Sequence, residues 1–184
     1  MDAKTGTRSD ANQRLQLDGA AIDRARKGIE DGAVTPSAAP WSGQIVGLLN
    51  SALATELVCV LRYKRHHFTA KGMASPAVAA EFLEHAHEEE AHADKLAERI
   101  VQLGGEPDFD PSHLRERSHA AYDEAKELEA MVRSNLVAER VAIETYRQMI
   151  NLIGDKDSTT RRLLEEILGQ EEEHADELKD LLDR

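Results

Sequence analysis

Four stretches of the chain carry apolar residues at three- and four-residue spacing for much longer than a strand could use, and each is closed by Gly, Pro or a capping residue. The first covers 42–70, with Ile45, Leu48, Leu49, Ala52, Leu53 and Leu57 on one stripe and Lys71-Gly72 as its stop signal. The second opens at Ser75-Pro76, a capping residue followed by Pro at the first helical position, and runs to about 103, before Gly104-Gly105. The third is expected over 118–153, stopped by Gly154, and the fourth over 158–182 behind an Asp157 cap. At about 1.5 Å per residue each is roughly 40–50 Å long. Four such helices bury their stripes by packing side by side, so the expected fold is all-α, a four-helix bundle.

The loops after the first and third helices are short, which makes two antiparallel hairpins. The link over 105–117 is different. It holds Pro107, Asp108, Asp110 and Pro111, and fully extended it reaches roughly 40 Å, about the length of the bundle. It can serve as one long crossover between helices two and three, with a brief helical turn expected near 112–115. Residues 1–40 are polar and small, with Leu15, Leu17, Ile22 and Ile29 marking a short helix packed on something else. They read as an N-terminal arm in front of a bundle spanning 41–184.

The formal net charge is −12, and because the arm holds six basic and six acidic residues, the bundle carries all of it. Such a surface repels nucleic acid and anionic membranes and attracts cations. DNA binding is therefore not expected. Cys59 is the single cysteine, so no internal disulfide can form and nothing points to an oxidising compartment. The first residues lack an apolar run of the secretory kind, and no stretch approaches the roughly 20 apolar residues of a membrane span. The expectation is a soluble cytoplasmic protein.

Two segments carry the chemistry: Glu88-Glu89-Glu90-Ala91-His92 in the second helix and Glu171-Glu172-Glu173-His174 in the fourth. Each contains a Glu-x-x-His, and residues three apart share a helical face, so Glu89/His92 and Glu171/His174 can each offer a carboxylate and an imidazole to one ion. Glu56 in the first helix and Glu139 in the third sit among apolar neighbours. The pattern repeats: Glu56 and Glu139 are 83 positions apart, Glu89 and Glu171 are 82, His92 and His174 are 82, and Tyr63 and Tyr146 are 83. Each Tyr follows its Glu by seven residues, on the same face. Two similar halves related by a pseudo-twofold would bring all six candidate ligands to one depth in the bundle.

A Glu in helix one, Glu-x-x-His in helix two, Glu in helix three and Glu-x-x-His in helix four resembles the ferritin-like di-iron superfamily. The wording Leu49-Asn50…Thr55-Glu56-Leu57-Val58, His92-Ala93-Asp94…Glu98-Arg99-Ile100 and Glu166-Ile167-Leu168…Glu171-Glu172-Glu173-His174 is similar to bacterioferritin, over residues 42–182. The resemblance implies a ferritin-like four-helix bundle. It makes Glu56, Glu89, His92, Glu139, Glu171 and His174 the iron ligands, with Glu89 and Glu171 as bridges and Tyr63 beside the site. It also implies a ferroxidase that stores or detoxifies iron, oxidising two ferrous ions per subunit with O2 or H2O2 inside a shell of identical subunits. Glu84 and Glu88 would form an inner-surface stopping point for iron. The haem-ligating Met of bacterioferritin is replaced by Glu90, so haem is not expected. No fifth helix follows the fourth, and the crossover is longer than in bacterioferritin. Both features resemble the Dps-like branch and favour twelve subunits over twenty-four. That branch often carries a cysteine pair near the site, which a lone Cys59 cannot supply.

Four carboxylates and two neutral imidazoles nearly balance two divalent ions, and hard oxygen donors with some nitrogen suit Fe or Mn better than Cu or structural Zn. Two other readings remain open: a different di-metal oxidoreductase, of manganese catalase-like or peroxidase type, and a non-enzymatic helical scaffold. Glu88 and Gln170, each just before a proposed bridging Glu, are candidates to hold the outer nitrogens of the ligand histidines. Cys59 and Tyr146 are expected in the core, His66 and His67 at the surface, His85 and His87 as structural or surface residues, and Trp41 as an anchor at an arm or subunit contact.

Overall fold

The computed structural model describes residues 16–183. Leu15, assigned above to the arm's short helix, lies outside them. All regular structure among the described residues is helical: α1 (Gly19–Ala25), a 3-10 turn (Ile29–Asp31), α2 (Ala39–Thr69), α3 (Ser75–Gln102), α4 (Leu114–Arg117), α5 (Leu128–Ile153) and α6 (Ser158–Leu182). The long helices pair as two hairpins, α2 with α3 and α5 with α6, joined through α2–α5 and α3–α6 contacts. This is the expected all-α four-helix bundle with its long crossover between the second and third long helices.

Helix ends follow local chemistry. Gly154 closes α5 at φ 54°, a left-handed conformation that glycine takes without a Cβ penalty. The Asp157 carboxylate accepts the amides of Thr159 and Thr160 to open α6, and Arg99 Nη2 at the far end of α3 reaches the same carboxylate at 2.7 Å. One acid thus caps one helix and ties it to another. Helix α3 begins at Ser75 itself, with Ala74 in the cap position, one residue earlier than the sequence suggested.

The third long helix departs most from expectation. It starts at Leu128, not 118. Residues 118–127 run as crossover because partners on α2 hold their backbone. Thr55 Oγ1 accepts from the His119 amide at 3.0 Å, Arg62 Nη1 donates to the Ala121 carbonyl at 3.1 Å, and Arg65 Nη1 donates to the Ala125 carbonyl at 3.1 Å. These bonds take up backbone groups that a helix would need for itself. Earlier in the crossover, Gly105 passes so close to α2 that an added Cβ would stand 2.6 Å from a Val46 methyl. The α4 turn lies at Leu114–Arg117, slightly later than expected.

Helix α2 begins at Ala39 with Pro40 in its first turn, and it corrects the hydropathy reading. It holds an 18-residue window of mean hydropathy 1.7, long and apolar enough to cross a membrane by composition, but 61% of that window is buried inside the bundle. In the arm, α1 is short, and Leu17 and Ile29, expected to belong to it, lie outside it and are exposed.

The core has two parts. One groups Ile45, Leu49 and Leu53 of α2 with Leu96 and Ile100 of α3, Tyr146 and Met149 of α5, and Leu164 and Ile167 of α6. The other groups Cys59 and Tyr63 with Phe82, Ala86, Met131, Ala138 and Leu178. Along the four long helices, Glu56, Glu89, His92, Glu139, Glu171 and His174 fall between these two clusters.

Candidate metal centre

Glu56, Glu89, His92, Glu139, Glu171 and His174 are all buried, at 0–2% exposure. The structure brings the six together. Glu56, Glu89, His92 and Glu171 offer donor atoms all within 4.8 Å of one another, and so do Glu89, Glu139, Glu171 and His174. Glu89 and Glu171 belong to both groups, one from each hairpin, which is the arrangement two adjacent ions with two bridging carboxylates would need.

Each imidazole turns Nδ1 inward. His92 Nδ1 hydrogen-bonds Glu89 Oε2 at 3.0 Å and stands 3.0 Å from Glu171 Oε1 and 3.6 Å from Glu56 Oε2. His174 Nδ1 lies 3.9 Å from Glu89 Oε1 and 4.0 Å from both Glu139 Oε2 and Glu171 Oε2. The outer nitrogens have the two partners picked out in the sequence, crosswise between hairpins. His92 Nε2 meets Gln170 Oε1 at 3.0 Å, and His174 Nε2 meets Glu88 Oε2 at 2.7 Å. Such outer bonds fix the ring so that the inner nitrogen can ligate.

The remaining carboxylate oxygens are held by tyrosines. Tyr63 donates to Glu139 Oε1 and Tyr146 donates to Glu56 Oε1, each reaching across to the other hairpin. Tyr146, expected in the core, is buried there and has the same relation to the cluster as Tyr63.

Five buried atoms here have no hydrogen-bond partner: Glu89 Oε1, Glu139 Oε2, both carboxylate oxygens of Glu171, and His174 Nδ1. Buried polar atoms are seldom left so, since each unpaired one costs about 1–3 kcal/mol. Once deprotonated, all five offer lone pairs, and they converge from three helices. That is the donor set of a cation site, and it fits two hard or borderline divalent ions.

Protonation follows from the crowding. Burial, reinforced by the Glu56 and Glu139 charges, pushes Glu89 well above the usual carboxylate range. Burial and the Glu89 and Glu56 charges do the same to Glu171. Burial also pushes Glu56 upward, but bonding to His92, Glu89 and Tyr146 outweighs it and leaves this carboxyl low. For His92, burial opposes the charged ring, yet contacts with Glu171, Glu56 and Glu89 prevail and raise its pKa. His174 goes the other way, pushed down to about 4 chiefly by burial, with Glu139 opposing and the nearby His85 and His92 charges adding to the fall. Metal-free, the centre is thus compensated by protons on Glu89, Glu171 and His92, which bound cations would displace.

Arg62 was not singled out in the sequence. The residue is 1% exposed, its guanidinium bonded to Asn135 Oδ1 at 2.7 Å and lying 3.5 Å from Cys59 Sγ. Burial disfavours its charge, but Cys59, Tyr63, Glu139 and Glu89 favour it more strongly. A basic residue between Leu61 and Tyr63 in the most apolar helix was the available signal. His66 was expected at the surface but is fully buried, 3.2 Å from Asn135 and 3.6 Å from Asp123. Cys59 is buried as expected, with its thiol pushed up by burial. His87 is exposed, His67 half-buried, and Trp41 37% exposed beneath Lys156 Nζ. Glu84 is exposed and joins none of the metal-competent groups among the described residues.

The architecture and this arrangement of carboxylates define a class, and comparison with known proteins agrees with it. Residues 46–184 match the family model for the Ferritin-like domain. The chain belongs to that family. It is 33% identical over 139 residues to a nutrient stress-induced DNA-binding protein of Synechococcus, covering 73% of this chain and 78% of that one. It is 29% identical over 132 residues to the bacterioferritin of Desulfovibrio desulfuricans, covering 71% and 70%. Among solved structures it resembles the dodecameric thioferritin of Bacteroides fragilis, a bacterioferritin-related protein, with TM-score 0.74, 34% identity and coverage of 77% and 86%. It also resembles the Desulfovibrio desulfuricans bacterioferritin, described with its diiron site, with TM-score 0.70, 26% identity and coverage of 79% and 81%.

Proposed function

We propose that this chain is a ferroxidase of the iron-storing or iron-detoxifying kind, with Glu56, Glu89, His92, Glu139, Glu171 and His174 holding two ferrous ions as substrate. The observation that carries the proposal is the convergence of unpartnered buried oxygen and nitrogen lone pairs from separate helices at one depth, between two apolar clusters. Glu89 and Glu171 bridge, Glu56 and Glu139 bind terminally, and each histidine binds through Nδ1. Tyr63 and Tyr146 hold the outer oxygens of the two terminal carboxylates. Two ferrous ions give up one electron each. The pair reduces O2 with two protons to H2O2, or H2O2 with two protons to two waters.

The ferric product is stored in a cavity formed by a closed homo-oligomer. Leu61, Phe68, Val101, Val137 and Leu152 are exposed apolar residues on the long helices, available for subunit contacts. Twelve subunits are favoured over twenty-four by the likeness to the dodecameric Bacteroides protein. Residues 16–38, with α1 and the 3-10 turn, serve as an arm ahead of the bundle. The Synechococcus relative is called a DNA-binding protein, but a formal net charge of −12 opposes that role here.

The test is stopped-flow oxidation of Fe(II) by O2 and by H2O2, with the mass of the assembled protein measured on the same sample. Oxidation far faster than in buffer, by a particle of twelve chains, is expected. Oxidation no faster than in buffer would overturn the assignment, and a manganese content with catalase activity would transfer it to a different di-metal enzyme.

A further inference from the structure

A second cluster lies just outside the centre. Glu81 and His85 stand one turn apart on α3 and face Glu177 of α6. His85 Nε2 is 2.9 Å from Glu177 Oε2 and 3.7 Å from Glu81 Oε1, and one donor atom from each of the three residues lies within 4.8 Å of the others. The imidazole is buried, at 1% exposure, while the Glu81 and Glu177 side chains are 31% and 45% exposed. A fixed nitrogen therefore sits behind two carboxylates that reach solvent.

The ring's orientation follows from its other neighbour. His85 Nδ1 is 3.2 Å from the Tyr63 hydroxyl, and that hydroxyl donates its proton to Glu139. The Tyr63 oxygen must then accept, so His85 carries its proton on Nδ1. This leaves the Nε2 lone pair directed at two carboxylates. A cation or a proton placed between these groups makes that arrangement attractive. The opposite hairpin has no such group: the positions 82 residues away from Glu81, His85 and Glu177 are Leu163, Ile167 and Lys95, two apolar residues and a base that pairs with Glu166 at 2.7 Å.

We propose that Glu81, His85 and Glu177 bind a divalent first-row transition metal as a further site in each chain, at the α3–α6 seam beside the buried centre. One imidazole with two carboxylates favours such ions over Mg or Ca, and so few protein ligands leave positions for water, giving an exchangeable site. The His85 ring stacks on His174 with centroids 4.2 Å apart and planes at 21°, so the two imidazoles lie between an ion held there and the centre. Glu88 is not part of it, because it already accepts from His174. The site rests on its own geometry and not on the oxidation reaction proposed above.

Anaerobic equilibrium dialysis against Co(II) tests this on the assembled full-length protein. Three proteins are compared: wild type, Glu81→Gln/Glu177→Gln and Glu89→Gln/Glu171→Gln. The first double variant keeps side-chain size and leaves the His85–Tyr63 contact in place. It is expected to bind one Co(II) per chain fewer than wild type, while the second keeps that ion and loses those of the centre. Wild-type crystals soaked in Co(II) should show an anomalous peak at His85 Nε2. Equal Co(II) counts in wild type and Glu81→Gln/Glu177→Gln, or no peak at His85, would overturn the proposal. A Glu89→Gln/Glu171→Gln variant that loses nothing would instead sink the reading of the buried centre.

Discussion

The α2–α3 and α5–α6 hairpins supply the same donors at a constant offset, but they surround them differently. Tyr63 and Tyr146 hold the opposite hairpin's Glu in the same way. Beyond Tyr146 the core is closed by apolar side chains such as Leu53, Leu96, Met149 and Ile167. Around Tyr63 lie Arg62, His66 and His85, all buried and polar. The two histidines differ as well. His92 Nδ1 faces three carboxylates and its ring is held protonated, whereas His174 stacks on His85 and presents a bare Nδ1 to the centre. The lesson is a division of labour. The symmetric part suits holding two like ions, and the asymmetric part decides where protons sit and which seam ions can use.

The largest effect is expected from removing one ligand from each half. Glu89→Ala and Glu139→Ala are each expected to slow Fe(II) oxidation by more than the roughly 10–100-fold typical of losing a group behind a metal ligand, with Glu89→Ala the slower because Glu89 bridges both ions. A variant that retained wild-type rates in stopped-flow assays would show that only one half matters. The next test uses pH on the metal-free protein. A base whose pKa falls on folding adds stability that is present above its unfolded value and lost as pH drops. For His174 that window runs from 6.5 down to about 4, and it is worth roughly 3 kcal/mol at about 1.4 kcal/mol per unit. A base whose pKa rises on folding behaves oppositely, so the His92 contribution is complete below 6.5 and lost as pH climbs through its raised value. Denaturant melts of His174→Asn and His92→Asn against wild type should therefore give stability differences with opposite pH slopes.

Loading the centre should erase that contrast, because both rings must then be neutral. Co(II) at a hundredfold excess over Kd should stabilise the fold by about 2.7 kcal/mol. For a chain of this size that raises Tm by about 2–4 °C for each kcal/mol. An unchanged melting curve would count against an assembled site. The smallest effect concerns the crosswise partners. Gln170→Ala and Glu88→Ala should each weaken metal affinity by about 10–100-fold, with Glu88→Ala acting on the ion beside His174. Competition against a colorimetric chelator reads both.

Much of this was legible in the sequence because it is local. Apolar spacing, Gly154 and the Asp157 cap act within a turn or two, and the Glu-x-x-His repeats carry their geometry with them. Even the His partners Gln170 and Glu88 could be picked out, since each neighbours a Glu that faces the centre. Failures came where long-range bonds override local pattern. Residues 118–127 read as helix by composition, but Thr55, Arg62 and Arg65, some 60 positions earlier, hold them as crossover. His66 and Arg62 were misjudged or passed over because a polar residue on a helix is ordinarily solvated, and the groups that bury and satisfy these two, Asn135 and Ala121, lie on segments far along the chain. The Glu81–His85–Glu177 cluster likewise needs α6 laid against α3 before it exists.

All of these effects depend on six side chains from four helices holding two ions in one buried pocket. Anomalous diffraction from crystals loaded anaerobically with Co(II) tests it most directly. Within that pocket two peaks are predicted, one at His92 Nδ1 and one at His174 Nδ1, with Glu89 and Glu171 between them and distinct from the peak expected at His85 Nε2. A single peak, or none within reach of those two nitrogens, would contradict the account.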